Sequence, residues 1–323
     1  MTDKPKVAFY WCASCGGCEE AVVDLAEKVL DVVAAVDIVF WPVALDFKRH
    51  HVEAMADGSL AAVFINGAIR SNEQEEMVHL LRRKAQALIA FGACSHMGGI
   101  PGLANLSNRE GVLATAYHDT PSTVNPEGVV PLARYADNGH SVTLPTLYDT
   151  VLTLDQVTEV DYYLPGCAPT PKLILQALEA LLSGSLPPKG SVLAPDVGLC
   201  DECPRKASKP ETMTITAFRR PSEVILKEDE CLLAQGVLCM GPSTRGGCEA
   251  LCVQGNMPCT GCFGPTSRVR DHGAKALSGF AATIASNDAA EIDRILVGIP
   301  DPVGTFYRYG LPASLLQRRR GLS

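Results

Sequence analysis

The chain has 323 residues, a net charge of −8 and 47% hydrophobic residues. This apolar content is enough for a large core, so disulfides are not needed to stabilise a small fold. The acidic balance disfavours general binding to nucleic acid or to anionic membranes. The chain shows no secretory signal and no apolar run long enough to cross a bilayer, so we expect a cytoplasmic protein whose thiols stay reduced.

The first 185 residues predict alternating strands and helices. Short apolar runs predict five strands, at residues 7–11, 36–40, 61–65, 87–91 and 161–164. Apolar residues at helical spacing predict three helices: 19–32, a second that follows a capping box at Ser71 and extends to about Arg83, and a third between a Thr170 cap and Gly184. This repetition predicts an α/β fold with a flavodoxin-like, doubly wound, mostly parallel sheet.

The composition changes after Leu186-Pro187-Pro188, where glycine, proline and cysteine become frequent. Only residues 273–285 and 289–297 show a helical pattern there. A region this irregular usually needs a bound metal to become ordered. We therefore predict two domains, 1–185 and 186–323, the second an irregular, cysteine-rich iron–sulfur domain. Its C-terminal arginines, Arg318–Arg320, predict a solvated tail or a contact with an acidic partner.

Thirteen cysteines are the main functional signal. Cys15 and Cys18 follow the first predicted strand, while Cys94 and Cys167 each follow a later one. Because the carboxyl ends of parallel strands meet at one edge of a sheet, we expect these four thiols to converge there. Four thiolates from three loops fit a 4Fe–4S cluster. Cys12 is left over, and we expect it to be a buried thiol without a ligand.

Eight further cysteines fall between residues 200 and 262 and divide evenly into two four-thiolate sites. Cys-x-x-Cys pairs are also typical of zinc ribbons, so zinc remains an alternative at this point. The surrounding glycines and prolines favour clusters shielded from water. Spacing alone permits several groupings of the eight, which are Cys200, Cys203, Cys231, Cys239, Cys248, Cys252, Cys259 and Cys262.

Other signals are weaker. Glu19 and Glu20 suit the positive N-terminal end of a helix, with a proton relay as the alternative. His96 is interpreted as an ordinary loop histidine, although it could donate a hydrogen bond to a cluster. The sequence lacks a phosphate loop and a GxGxxG fingerprint, so nucleotide and flavin cofactors have no support.

Four segments together resemble the small subunit of nickel–iron hydrogenases, in particular the F420-non-reducing (methyl-viologen-reducing) group. The first is Trp11-Cys12-Ala13-Ser14-Cys15-Gly16-Gly17-Cys18-Glu19 and its continuation to Leu25. The second runs from Gly92-Ala93-Cys94 to Asn105, and the third is Pro165-Gly166-Cys167-Ala168-Pro169. The fourth runs from Cys231 to Cys262. The resemblance spans nearly the whole chain.

This resemblance implies three 4Fe–4S clusters. It assigns the proximal cluster to Cys15, Cys18, Cys94 and Cys167. The distal cluster takes Cys200, Cys203, Cys231 and Cys239, with Cys200 at the place where membrane-associated relatives have histidine. The medial cluster takes Cys248, Cys259 and Cys262, and Cys252 predicts a fourth ligand where many relatives hold three irons.

The resemblance also implies partners and a function. The nickel ligands of the family lie on a large subunit, and their motifs are missing from this chain, so we expect no catalytic residue on it. The expected role is electron transfer between that subunit and an acceptor, by way of a small iron–sulfur linker subunit and a heterodisulfide reductase-type complex. Two alternatives stay open: a related respiratory or formate-linked complex whose large subunit lacks nickel, and a zinc-stabilised scaffold.

Overall fold

A computed structural model describes residues 4–317, so the predicted tail at Arg318–Arg320 lies outside the described part. In chain order, the strands of this part are β1 (Lys6–Trp11), β2 (Asp37–Phe40), β3 (Leu60–Asn66), β4 (Ile69–Ser71), β5 (Ala85–Phe91), β6 (Arg134–Asp137), β7 (His140–Thr143), β8 (Leu147–Leu152), β9 (Tyr162–Leu164) and β10 (Ser191–Val192). The α-helices are α1 (Gly17–Val23), α2 (Lys28–Ala35), α3 (Arg49–Glu53), α4 (Asn72–Lys84), α5 (Ala93–Met97), α6 (Arg109–Ala114), α7 (Pro171–Leu182), α8 (Leu251–Gln254), α9 (His272–Ala281), α10 (Ala289–Leu296) and α11 (Pro302–Phe306).

The central sheet has six parallel strands in the order β10-β9-β5-β3-β1-β2. Five of them are the predicted strands, and their order is that of a flavodoxin-like sheet. The α/β fold is therefore confirmed. The sixth strand, β10, comes from residues 191–192 and pairs with β9. The sheet thus uses residues beyond 185, and the predicted division into two domains stays a prediction.

Successive residues of a strand point to opposite sides of the sheet. Helices cover both of these sides. On one face Phe9, Phe64 and Phe91 pack with residues of α1, α2 and α7. On the other face Val63 and Leu88 pack with residues of α3 and α4. This double cover explains why the central strands are apolar throughout rather than alternating.

Two of the predicted helices of the first domain are confirmed, and one is wrong. Ser71 caps α4 and forms the capping box with Gln74. Thr170 caps α7, and Gly184 follows its end with a positive φ of 67°. The single helix expected over residues 19–32 is two helices, α1 and α2, because Ala26 adopts the left-handed conformation at φ 51° and ends the first helical run.

Between residues 93 and 160 the structure contains several elements that no sequence pattern predicts. A 3₁₀ helix (Ile100–Leu106) follows α5, and a π turn (Thr115–Asp119) follows α6. The β6–β7 hairpin pairs Tyr135 with Val142, and both side chains are exposed. These elements are too short to show a hydrophobic period, which explains why the pattern does not reveal them.

The C-terminal part is irregular, as predicted. Its α-helices α8 to α11 are short and are joined by loops and 3₁₀ turns. The helix expected at 273–285 ends already at Ala281, while α10 agrees with the prediction within one residue. One apolar cluster holds this part together, and partly buried cysteines pack against it: Cys203, Cys231, Cys239 and Cys248.

Candidate iron–sulfur sites

The four cysteines predicted for the proximal site lie at the carboxyl edge of the sheet. Cys15 and Cys18 flank the start of α1 after β1, Cys94 lies in α5 after β5, and Cys167 follows β9. Two backbone hydrogen bonds join the last two loops: Gly92 N–H donates to the Leu164 carbonyl (2.8 Å), and Ala93 N–H to the Gly166 carbonyl (2.7 Å). Cys18 and Cys94 are buried, whereas Cys15 and Cys167 are exposed.

Electrostatics shows that these four thiols face a common space. Burial, and after it the negative charges of Cys167 and Cys15, raise the pKa of Cys94 to about 12. The pKa of Cys18 is also raised, first by burial and then by Cys94, Cys167 and Cys15. Four thiolates this close repel one another unless cations lie between them. A multi-iron group would supply those cations.

Two glycines are required by the close approach of backbone to sulfur. A Cβ on Gly92, whose φ is 86°, would lie 2.3 Å from Cys18 Sγ. A Cβ on Gly99 would lie at the same distance from Cys94 Sγ. Backbone N–H groups also reach the sulfurs: that of Gly17 donates to Cys15 Sγ at 3.4 Å. Such donors stabilise thiolate ligands and tune the potential of a cluster.

The thiols of Cys200, Cys203, Cys231 and Cys239 form a second set that lines one pocket. A Cβ on Gly241 would lie 3.5 Å from the sulfur of Cys200 and 3.6 Å from that of Cys239. Burial raises the pKa of Cys200 to about 11, while nearby Lys209 lowers it.

Arg205 organises this second set, and the sequence pattern does not reveal it. Its guanidinium is buried and donates to the backbone carbonyls of Lys227 (3.2 Å), Glu230 (3.3 Å) and Val253 (3.3 Å), and to Asn256 Oδ1 (2.7 Å). These bonds connect the loop before Cys231 to the region after α8. No periodic pattern marks a residue whose partners are backbone carbonyls far along the chain.

The remaining cysteines form a third set between the other two. Burial raises the pKa of Cys262 to about 12, with further contributions from Cys167, Cys248 and Cys252. The pKa of Cys259 is raised by burial, then by Cys239 and Cys262. The structure therefore places Cys252 in the neighbourhood of Cys248 and Cys262.

The third set adjoins both of its neighbours. The backbone N–H of Cys167, a member of the first set, lies near the Cys262 sulfur and lowers its pKa. Cys259 N–H donates to the Cys239 sulfur of the second set at 3.4 Å. The third set is therefore adjacent to the first and to the second.

The three sets share one donor chemistry. Among residues 4–317, no three or more His, Cys, Asp or Glu side chains are arranged to hold one metal ion. The donor sets described above contain thiols alone, with backbone N–H groups directed at the sulfurs and partial or full burial. This chemistry fits iron–sulfur clusters.

Cys12 stands apart from the three sets. It is 6% exposed and packs in the apolar cluster on the opposite face of the sheet from α1. Burial raises the pKa of its thiol well above the usual value. Its surroundings are those of a small hydrophobic residue, as expected for a thiol without a ligand.

Two polar residues beside the first set differ from expectation. Glu19 is buried and accepts hydrogen bonds from Trp41 and Asn66, and burial raises its pKa, whereas Glu20 is exposed. His96 is not an ordinary loop histidine: it lies in α5 and its ring packs 4.6 Å from that of Tyr163. Burial lowers the pKa of His96 to about 4, so it is neutral near pH 7. Neither tertiary contact could be read from the local sequence.

No helix in residues 4–317 combines the length and apolar character needed to span a membrane.

Comparison with known proteins identifies the family. Residues 15–181, just over half of the chain, match the family of the NADH ubiquinone oxidoreductase 20 kDa subunit. The chain is 39% identical over 317 residues to an F420-non-reducing hydrogenase iron–sulfur subunit of Archaeoglobus profundus, covering 97% of this chain and 98% of that protein. It is 37% identical to the corresponding F420-non-reducing hydrogenase subunit of Methanothermobacter thermautotrophicus, covering 98% of this chain and 97% of that protein.

Among solved structures, the chain superposes on a chain of the NiFeSe hydrogenase from Desulfovibrio vulgaris Hildenborough. The TM-score is 0.53 at 18% identity, covering 82% of this chain and 95% of that one, which shows a shared fold. Together, the identity along nearly its whole length, the sheet and the thiol sets show that the chain belongs to the family of F420-non-reducing hydrogenase iron–sulfur subunits and is a component of an oxidoreductase complex.

Proposed function

We propose that this protein carries electrons through three 4Fe–4S clusters between a nickel–iron catalytic large subunit and an acceptor protein. The observation that carries the proposal is the row of three thiol sets. Neighbouring sets adjoin ligand to ligand: the Cys167 N–H lies near the Cys262 sulfur and lowers its pKa, and Cys259 N–H donates to the Cys239 sulfur at 3.4 Å. A continuous row of redox centres is what electron conduction through a protein requires.

The proposed ligands follow these sets. Cys15, Cys18, Cys94 and Cys167 hold the proximal cluster, and Cys200, Cys203, Cys231 and Cys239 hold the distal one. Cys248, Cys252, Cys259 and Cys262 hold the medial cluster, and the proximity of Cys252 to Cys248 and Cys262 supports its assignment as the fourth medial ligand.

When bound, each cluster supplies a one-electron redox centre whose potential depends on burial and on hydrogen bonds to sulfur. The residues of the chain set those conditions. Backbone N–H groups of Gly17, Ile100 and Gly241 donate to ligand sulfurs of the proximal and distal sets. Buried apolar residues, with Met240 and Phe263 among the most enclosed, keep water away from the interior between the sets.

The two ends of the row differ in a way that suits two partners. The proximal end exposes Cys15 and Cys167 at the sheet edge, where the large subunit would dock. The distal end is lined by Arg205 and Lys209, next to a surface that we assign to a small iron–sulfur linker subunit and a heterodisulfide reductase-type complex.

The first test is the metal content of the chain, purified without oxygen. About 12 irons with matching acid-labile sulfide are expected for three four-iron clusters. About two zincs with at most one cluster would instead assign the C-terminal cysteines to structural zinc and contradict the proposal.

A variant pair tests the fourth medial ligand. We expect Cys252→Ser to lose about one iron and to convert the medial site toward a three-iron cluster, because one thiolate is missing. Cys12→Ala is the matched control and should keep the full iron content, since Cys12 lies in the apolar core. An unchanged iron count and electron paramagnetic resonance (EPR) spectrum in Cys252→Ser would remove this residue from the ligand set.

A further inference from the structure

The segment that follows α11 lies directly against the loop after Cys94. Gly99 N–H donates to the Tyr309 carbonyl at 2.9 Å. A Cβ on Gly98 would lie 2.2 Å from the Pro312 ring, and Gln156 donates to the Pro312 carbonyl at 2.8 Å. The C-terminal segment is therefore seated without a gap on the loop that touches the Cys94 sulfur.

The Tyr309 side chain extends from this segment to the medial cysteines. Its hydroxyl is hydrogen-bonded to Thr260 Oγ1 at 3.0 Å, and Thr260 lies in the loop between Cys259 and Cys262. Tyr309 thus holds the proximal loop through its backbone and the medial loop through its side chain. Within residues 4–317, these two bonds join the two cysteine loops through one residue.

The electrostatic surroundings of Tyr309 agree with this position. Burial raises its pKa, the bond to Thr260 lowers it, and the charges of Cys262 and Cys167 raise it. The last two residues belong to the medial and proximal sets respectively. The phenol consequently lies near both sets, at the place where the Cys167 N–H also approaches the Cys262 sulfur.

We propose that Tyr309 is a positioning residue for electron transfer between the proximal and medial sites. Its ring and its two hydrogen bonds fix the separation of the loops that carry Cys94 and Cys262 and keep water out of the space between them. In the step concerned, one electron leaves the centre held by Cys167 and enters the centre held by Cys262, with no bond formed or broken and no proton moved. This inference rests on the proposed function.

Three variants in the assembled complex test this role. Tyr309→Phe and Thr260→Val each remove one partner of the same hydrogen bond while keeping nearly the same shape. Tyr309→Ala removes the ring as well. Tyr135→Phe, on the exposed β6–β7 hairpin, is the control. Iron content and an EPR-monitored redox titration are measured for each, together with hydrogen-dependent viologen reduction and hydrogen–deuterium exchange at the catalytic partner.

We expect Tyr309→Phe and Thr260→Val to keep the iron and to shift the medial midpoint potential in the same direction, with no further shift in the double variant. Tyr309→Ala should slow viologen reduction severalfold and leave the exchange reaction unchanged, because exchange needs no electron beyond the proximal site. Potentials and viologen reduction equal to those of the wild type in both single-bond variants and in Tyr309→Ala would overturn the role of Tyr309. A wild-type chain without three clusters would instead overturn the proposed function itself.

Discussion

The proximal site and the two C-terminal sites are built in different ways. The proximal cysteines follow strands of a parallel sheet whose backbone hydrogen bonds and two apolar layers exist without them. Five of the eight C-terminal cysteines belong to or pack against the apolar cluster that holds their region together, and the elements between them are short. The sheet therefore positions a cluster, whereas in the C-terminal part bound clusters would position the chain.

Removal of iron should give the largest difference between these two regions, in the protection of their backbone from hydrogen exchange. In the full chain, chelation is expected to expose the backbone of residues 199–265 while β1, β3 and β5 keep their protection, because only the C-terminal region depends on its ligands for order. Hydrogen exchange followed by mass spectrometry measures both regions in one sample. Equal protection of residues 199–265 before and after chelation would show that this region folds by its apolar packing alone.

The second prediction concerns the rigidity of the sheet edge. Gly92→Ala should abolish the proximal site, since its Cβ would lie 2.3 Å from Cys18 Sγ in addition to the strain of a φ of 86°. Gly58→Ala has a similar φ of 70° with nothing within 4 Å, so it should cost only the conformational strain of about 1–2 kcal/mol.

The comparison is made on the iron content and the free energy of unfolding of the two variants. Loss of about four irons is expected in Gly92→Ala alone, since one four-iron cluster is at stake. If Gly92→Ala kept its full iron content, the close approach of the β5 loop to Cys18 would not be needed for the site.

The smallest expected effect is a pH dependence within the sheet. Asp161, 1% exposed before β9, is hydrogen-bonded or ion-paired with Arg82 (2.6 Å), Lys189 (2.6 Å) and Leu88 N–H (2.7 Å). Burial raises its pKa, but these partners outweigh burial and lower it overall. Its folded pKa is then below the unfolded value of about 3.9, so its stabilisation is complete above that pH and is lost as pH falls through the folded pKa.

Asp161→Asn tests this expectation by chemical denaturation between pH 3 and pH 7. We expect it to destabilise the protein by about 3 kcal/mol near neutral pH and to flatten the acid decline, because two cations lose their buried partner. Asp46→Asn, which alters the exposed ion pair with Lys48, is the control and should change stability little. An acid decline as steep in Asp161→Asn as in the wild type would assign the pH dependence to other groups.

Much of the sheet could be predicted from the sequence because its strands are buried on both faces. The apolar runs at residues 61–65 and 87–91 mark β3 and β5 almost to the residue, and Ser71 and Thr170 mark helix starts by capping chemistry. The break at Ala26 could not be predicted, since alanine favours a helix and nothing in the local pattern marks its left-handed conformation.

The candidate sites, like the fold, could be predicted from the sequence only in part. The cysteine spacings, together with the resemblance to known subunits, indicated which thiols to consider, because ligand chemistry is visible in residue type. Arg205, Glu19 and Tyr309 could not be found that way, since each acts through partners distant in the chain.

Residue type and local period were enough to establish the α/β class, the parallel strands and the thirteen thiols, because burial and ligand chemistry depend on them directly. The arrangement of the thiol sets in a row, with the Cys248–Cys262 region between the others, required the folded chain. That order follows from two close approaches of backbone N–H to sulfur, Cys167 to Cys262 and Cys259 to Cys239, which exist only once the C-terminal region packs on the sheet edge.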